Sequence, residues 1–177
     1  MDCHGCEGGL IHKLFKYHSN TTSPKALATL ASYPYIAEES YCKESGYGTK
    51  YGVRLTNWKG YYNATGMSES YILSGLKTGV IGGAVYCDET LWYAYTSGIL
   101  TYDQCKPPNN EINHAVTICG YGVEVETGMK YWVIANTWST LWGEKGFIKL
   151  ERVDPKDTSR KAGTCNLNVY IAYSFGT

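Results

Sequence analysis

From Gly79 onward the chain consists of short apolar runs broken by glycines and polar turns: "VIGGAVY", "HAVTICGYG", "KYWVIANTW", "GFIKL" and "NLNVYIAYSF". Runs this short, rich in Val, Ile and Tyr and bounded by turn residues, match strands better than helices. Only "DETLWYAY" interrupts them with a helical pattern. Before Gly79 the character differs. Leu10, Ile11, Leu14 and Phe15 recur at helical spacing with Lys13 and Lys16 opposite, which predicts one short amphipathic helix. A loop region rich in Tyr, Ser and Pro follows, and then Tyr51, Val53 and Leu55 alternate as a strand does. Ser68 is placed to cap a helix over "ESYILSGLK", with Glu69 near its positive end and Gly79 closing it. A helical, loop-rich first part and a β-rich second part predict an α+β protein with two lobes.

Composition narrows the function classes. With 44% apolar and 18% charged residues the 177-residue chain is globular and long enough for a real core. Lys+Arg and Asp+Glu both number 16 and no basic tract occurs, which argues against a nucleic-acid or polybasic membrane partner. No apolar run is long enough to span a bilayer, and no signal-peptide pattern precedes Asp2. Seven cysteines and the sequons Asn20-Thr21-Thr22 and Asn63-Ala64-Thr65 nevertheless point to an oxidising, secretory compartment.

The opening "MDCHGCEGGL" sets two cysteines three residues apart. A structural zinc site needs four ligands, usually from two such pairs, and no second C-x-x-C exists here. A redox pair wants a βαβ surround, whereas Cys6 is followed by Gly8-Gly9 and a helix. A disulfide framework and a domain whose front is missing both stay open at this point.

Two stretches carry chemistry. In "NHAVTICGYG" His114 opens an apolar strand, and in "YWVIANTWSTLWGEKGF" Asn136 follows one, flanked by Trp138 and Trp142. A polar amide at the end of an apolar strand is costly without a partner. An imidazole N–H is a suitable one, with an indole keeping water from the bond. A lone histidine at a strand end is ordinarily just a satisfied residue; the combination and its context are what matter.

That context resembles the papain-like cysteine peptidases, the cathepsin L type in particular. "GCEGGL", "SYPYIAEESYCK", "SGILTYDQC", "NHAVTICGYG" and "ANTWSTLWGEKGF" follow the family's motifs in order along the chain. The resemblance implies a two-lobe papain-like fold, with about 1–47 the remainder of the helical lobe and about 48–177 the β-rich, barrel-like lobe. It implies His114 as catalytic histidine, Asn136 as its orienting partner and Trp138 as the shield over their bond. Gly8, Gly9, Leu10, Ile11, Ala84, Ala115 and Tyr170 would bind substrate, with Tyr170 the floor of the pocket. Disulfides Cys3–Cys42 and Cys105–Cys165 are implied, leaving Cys6, Cys87 and Cys119 without family partners; Cys119 lies in an apolar strand where a small thiol packs well. The partners implied are a peptide or protein substrate, protease inhibitors and the N-terminal part of the same fold, with no cofactor and no metal.

Two departures from the family pattern stand out. Asn136-Thr137-Trp138-Ser139 stands where the family has Asn-Ser-Trp-Gly, and Ser139 matters if that turn needs a positive φ. The family's nucleophilic cysteine lies about 130–150 residues before the histidine, which falls ahead of Met1. The chain as written is therefore expected to lack the nucleophile and to be inactive alone, its full-length parent being lysosomal or extracellular. A non-catalytic homologue, acting as a decoy for peptides or inhibitors or as a structural glycoprotein, is the alternative.

Overall fold

The computed structural model describes residues 4, 7–19, 26–36, 38–41, 53–107, 109–154 and 156–176. Cys3, Cys6, Cys42, Asn20 and Tyr51 lie outside them, and so does the expected Cys3–Cys42 bridge. The chain divides into two compact units, Met1–Lys59 with Tyr173–Thr177, and Gly60–Ala172.

In the first unit, helix α1 spans Ile11–His18, with Lys16 and His18 in its last turn, where positive charge suits the helix dipole. It buries no residue, and Leu10 and Leu14 are 41% and 45% exposed. The expected amphipathic helix thus forms with its apolar stripe accessible. His12 stacks on Trp58 with ring centroids 5.7 Å apart, and an isolated bridge joins Leu27 to Val53. Of the strand expected from Tyr51, Val53 and Leu55, Tyr51 lies outside the described residues, Val53 makes the bridge to Leu27 and Leu55 opens β1, which runs from Leu55 to Tyr62.

The five later runs form the expected strands, β2 (Ile81–Val85), β4 (His114–Val123), β5 (Lys130–Ala135), β6 (Phe147–Glu151) and β7 (Tyr170–Gly176), and a further short strand that was not expected, β3 (Ile99–Leu100), lies between β2 and β4 in the chain; helices α2 (Ser70–Leu76) and α3 (Glu89–Tyr93) complete the order. The strands are hydrogen-bonded in the order β1-β7-β2-β4-β5-β6-β3. Alternation places Val85, Val116, Ile118, Trp132, Ile134, Ile148 and Leu150 in the core of the second unit, each worth up to roughly 1.5–3 kcal/mol of burial. The β4–β5 register slips between Ile118 and Gly120, so Cys119 occupies a bulge and is only half-buried. Beyond the bulge Tyr121 and Val123 face solvent.

Helix α2 departs in a useful way from its sequence reading. The Ser68 hydroxyl does accept the Ser70 N–H, at 3.3 Å. Glu69, however, binds the Arg152 guanidinium through both oxygens, at 2.8 and 3.1 Å. That guanidinium also lies 4.5 Å from the Trp132 ring centroid and 5.1 Å from that of Tyr121. The first turn of α2 is thereby tied to β4, β5 and the end of β6. No helix among the described residues is long and apolar enough to cross a membrane.

Candidate active site

Antiparallel pairing brings the start of β4 and the end of β5 to the same end of the sheet. His114 lies opposite Val85 on β2, and Thr117 opposite Ala135 on β5. One residue past β5, Asn136 meets His114: imidazole Nε2 lies 2.9 Å from the amide Oδ1. The same Oδ1 accepts the Thr137 backbone N–H at 2.8 Å. A backbone N–H can only donate, which orients the amide with its oxygen toward both partners. Nε2 is therefore the protonated nitrogen of His114. In the neutral ring Nδ1 is then the basic atom, and it has no hydrogen bond among the described residues.

The Asn136 Nδ2 atom is buried without a hydrogen-bond partner among the described residues, an arrangement that costs about 1–3 kcal/mol. Tolerating that cost while directing Oδ1 at the imidazole is characteristic of a site that holds a geometry rather than maximises stability.

Indole rings enclose the pair. Trp138 lies 5.4 Å from the His114 ring, tilted by 42°. Trp92, fully buried, approaches the His114 ring edge-on at 5.8 Å and lies 6.3 Å from Trp138. Trp142 stacks on Trp92 at 5.9 Å and donates Nε1–H to the Trp92 carbonyl at 2.8 Å. Tyr93 stacks on Trp138 at 5.0 Å. Such packing holds the ring still and keeps water from the Nε2–H···Oδ1 bond.

Trp92 escaped the sequence reading because it sits in a helical pattern that looks like ordinary packing. Asn113, next to His114, was missed too. Its amide accepts the Cys87 N–H at 2.7 Å and donates to the Cys87 carbonyl at 3.1 Å, while its own N–H donates to Val85 at 3.0 Å. An Asn adjoining a candidate His was the available signal.

The segment leading to His114 is pinned from behind. Cys105 and Cys165 form a disulfide across 60 residues, with Cα atoms 5.0 Å apart. Closing a loop of that length in the unfolded chain is worth about 4 kcal/mol in the entropic account. Buried Asn166 donates to the carbonyls of Asn109 and Glu111 at 2.8 and 2.9 Å.

The loop after Asn136 does need a positive φ: Ser139 has φ 77°. Its hydroxyl accepts the Leu141 N–H at 3.2 Å, recovering part of the strain. Glu144 anchors the loop's far end through Lys149 at 2.8 Å and the Gly98 N–H at 2.9 Å.

The remaining residues singled out from sequence fall into two sets. Ala84 is the register partner of both Ala115 and Tyr170, so these three project from one face of adjacent strands, with Tyr170 only 4% exposed. Gly8, Gly9 and Leu10 are exposed and Ile11 half-buried, all at the start of α1 in the first unit.

Neither described free thiol is suited to nucleophilic attack. Burial, then the charges of Glu89 and Asp88, push Cys87 up to about 11, and burial raises Cys119 as well.

The chain is similar to known proteins in sequence and in fold. The model of papain family cysteine proteases matches residues 1–175. Vignain of Vigna mungo is 30% identical over 169 residues, covering 96% of this chain and 42% of that protein. Testin-2 of Mus musculus is 33% identical over 178 residues, covering 96% and 49%. The bromelain protease of Ananas comosus, solved in complex with the E64 inhibitor, superposes with a TM-score of 0.78 at 30% identity, covering 98% of this chain and 74% of that one. The chain spans about half the length of the curated relatives it matches.

Proposed function

The chain belongs to the papain family of cysteine proteases, and from that premise we propose that its parent protein is an endopeptidase cleaving peptide bonds by thiolate attack. The observation that carries this reading is the His114 Nε2–H···Oδ1 Asn136 bond beneath Trp138. It leaves Nδ1 as the nitrogen that exchanges a proton with a thiol. In the ion pair, Nδ1 holds the proton and the thiolate is the nucleophile. The sulfur attacks the scissile carbonyl carbon, and the proton on Nδ1 passes to the leaving amine. Water then releases the acyl group, with Nδ1 as the base. Asn136 acts through His114 by holding the ring's orientation, and Trp138 by keeping the bond dry.

The attacking thiolate is neither Cys87 nor Cys119, whose thiols burial holds protonated. Ala84, Ala115 and Tyr170, on one face of adjacent strands of the second unit, form one wall of the pocket for the substrate side chain on the acyl side; Gly8, Gly9, Leu10 and Ile11 are proposed separately, within the first unit, as substrate-binding residues. Apolar lining with a phenol and no carboxylate favours medium aliphatic side chains over Arg. The Cys105–Cys165 disulfide supports a lysosomal or extracellular location.

The test is turnover of fluorogenic peptides by the parent protein, together with labelling by an E64-type epoxide. His114→Ala should abolish turnover. Asn136→Ala should lower kcat about a hundredfold with KM little changed, since it misplaces the imidazole without touching substrate binding. Full activity in His114→Ala would overturn the assignment. Inhibitor binding without turnover or covalent labelling would establish the non-catalytic alternative instead.

A further inference from the structure

The turn after β1 carries chemistry that the peptidase reading does not use. We infer that Asn63 is a site of N-linked glycosylation, accepting an oligosaccharide on its side-chain nitrogen. Asn63, Ala64 and Thr65 form a sequon whose three residues are all exposed. The Asn63 Oδ1 accepts both the Thr65 N–H, at 3.0 Å, and the Thr65 hydroxyl, at 2.8 Å. The Gly66 N–H closes the turn on the Asn63 carbonyl at 2.8 Å. Nδ2 is left without a hydrogen bond among the described residues and faces solvent chemistry.

In the transfer, Nδ2 attacks the anomeric carbon of a lipid-diphosphate-linked oligosaccharide. A C–N bond forms, the C–O bond to the diphosphate breaks, the lipid diphosphate departs and Nδ2 gives one proton to a base of the transferase. Proton loss from Nδ2 ahead of C–N bond formation leaves a negative charge shared with Oδ1, where both Thr65 donors are already placed. Every bond that shapes this acceptor spans two or three residues, so a nascent segment can adopt it before the domain folds.

The folded chain also leaves room for the product. The base of the turn is fixed: a Cβ on Gly66 would lie 2.2 Å from the Lys161 carbonyl oxygen, and the Met67 N–H donates to Asn168 at 2.9 Å. The exposed corner is therefore held outward. The Asn63 N–H donates to Val169, the neighbour of Tyr170. With strands ordered β1-β7-β2-β4, the corner sits at the His114 end of the sheet, three strand spacings or roughly 14 Å away. A glycan there flanks the proposed site and leaves the imidazole clear.

This inference rests on the proposal that the parent enters the secretory pathway, and two measurements separate the two. The chain is translated behind a heterologous leader into endoplasmic-reticulum microsomes, and only protease-protected product is analysed. Peptide N-glycosidase in ¹⁸O water should convert Asn63 to labelled aspartate in most of that product. Asn63→Gln and Thr65→Ala should lose the label, and Thr65→Ser should keep part of it. Unlabelled Asn63 in protected chains would overturn the assignment. If the microsomal product is labelled while Asn63 of the parent isolated from its native source is bare, the acceptor site stands and the secretory reading falls.

Discussion

Removing one member of the Arg152–Glu69 pair should be among the most damaging changes remote from His114. Both side chains are largely buried, 9% and 15% exposed, and are joined by two charge-assisted hydrogen bonds at 2.8 and 3.1 Å. Glu69→Ala leaves the guanidinium buried against Trp132 and Tyr121 without its anion, an arrangement that costs about 3–5 kcal/mol. Arg152→Ala strands the carboxylate and also forfeits the two ring contacts, adding about 1–2 kcal/mol. For a chain of this size each kcal/mol lowers Tm by about 2–4 °C, so Glu69→Ala should lower Tm by roughly 6–20 °C and Arg152→Ala by roughly 8–28 °C. The double variant Glu69→Leu/Arg152→Met tests the physics. Replacing both charges by apolar groups removes the desolvation cost together with the attraction, and should restore stability to within about 1–2 kcal/mol of wild type. The assay is urea and thermal unfolding of wild type, Glu69→Leu, Arg152→Met and the double variant as a double-mutant cycle, with the alanine variants measured beside them. Additive losses, with the double variant as unstable as the sum of the singles, would refute the account of Arg152 and Glu69 as a coupled buried pair.

Three further outcomes follow from particular residues. Ser139→Gly should raise stability by a few tenths to about 1 kcal/mol, because a positive φ costs an L-residue about 1–2 kcal/mol and the lost hydroxyl bond to Leu141 returns only part of it; Ser139→Ala, which keeps the strain and loses the bond, should do the opposite in the same unfolding assay. At Glu144 burial raises the pKa, but the Lys149 hydrogen bond, the Gly98 N–H, the Lys149 charge and the Tyr95 hydroxyl together hold it below its ordinary value of 4.5. Its contribution is therefore present above pH 4.5 and lost as pH falls through the depressed folded value, so Glu144→Gln should flatten the acid limb of a stability-versus-pH curve, and an unchanged limb would count against this. Cys87, held at about 11 and buried, should resist iodoacetamide in the folded protein at neutral pH and react on unfolding, as read by mass spectrometry; rapid native-state modification would show the thiol to be activated.

Short apolar runs bounded by glycines and polar turns made the strands legible; the structure then showed which residues of each run face the core, Val116 and Ile118 on β4, Trp132 and Ile134 on β5, Ile148 and Leu150 on β6. His114 and Asn136 were legible as individuals for a similar reason, each being a polar residue at the end of an apolar run. Ser139 was legible as a question, and the structure answered it with a φ of 77°. What depended on register was not legible. Cys119 became a bulge residue because β4 slips one position against β5, and no local preference announces such a slip. Glu69 turned from a helix-end charge into the partner of Arg152, 83 residues away, since only the folded sheet brings that guanidinium to the start of α2. The fate of the His114 proton was decided furthest from the sequence of all: Thr137 had to aim its N–H at the same Oδ1 that meets the imidazole. Composition and spacing determine which groups are present, whereas their protonation and orientation come from contacts that exist only when the strands stand side by side.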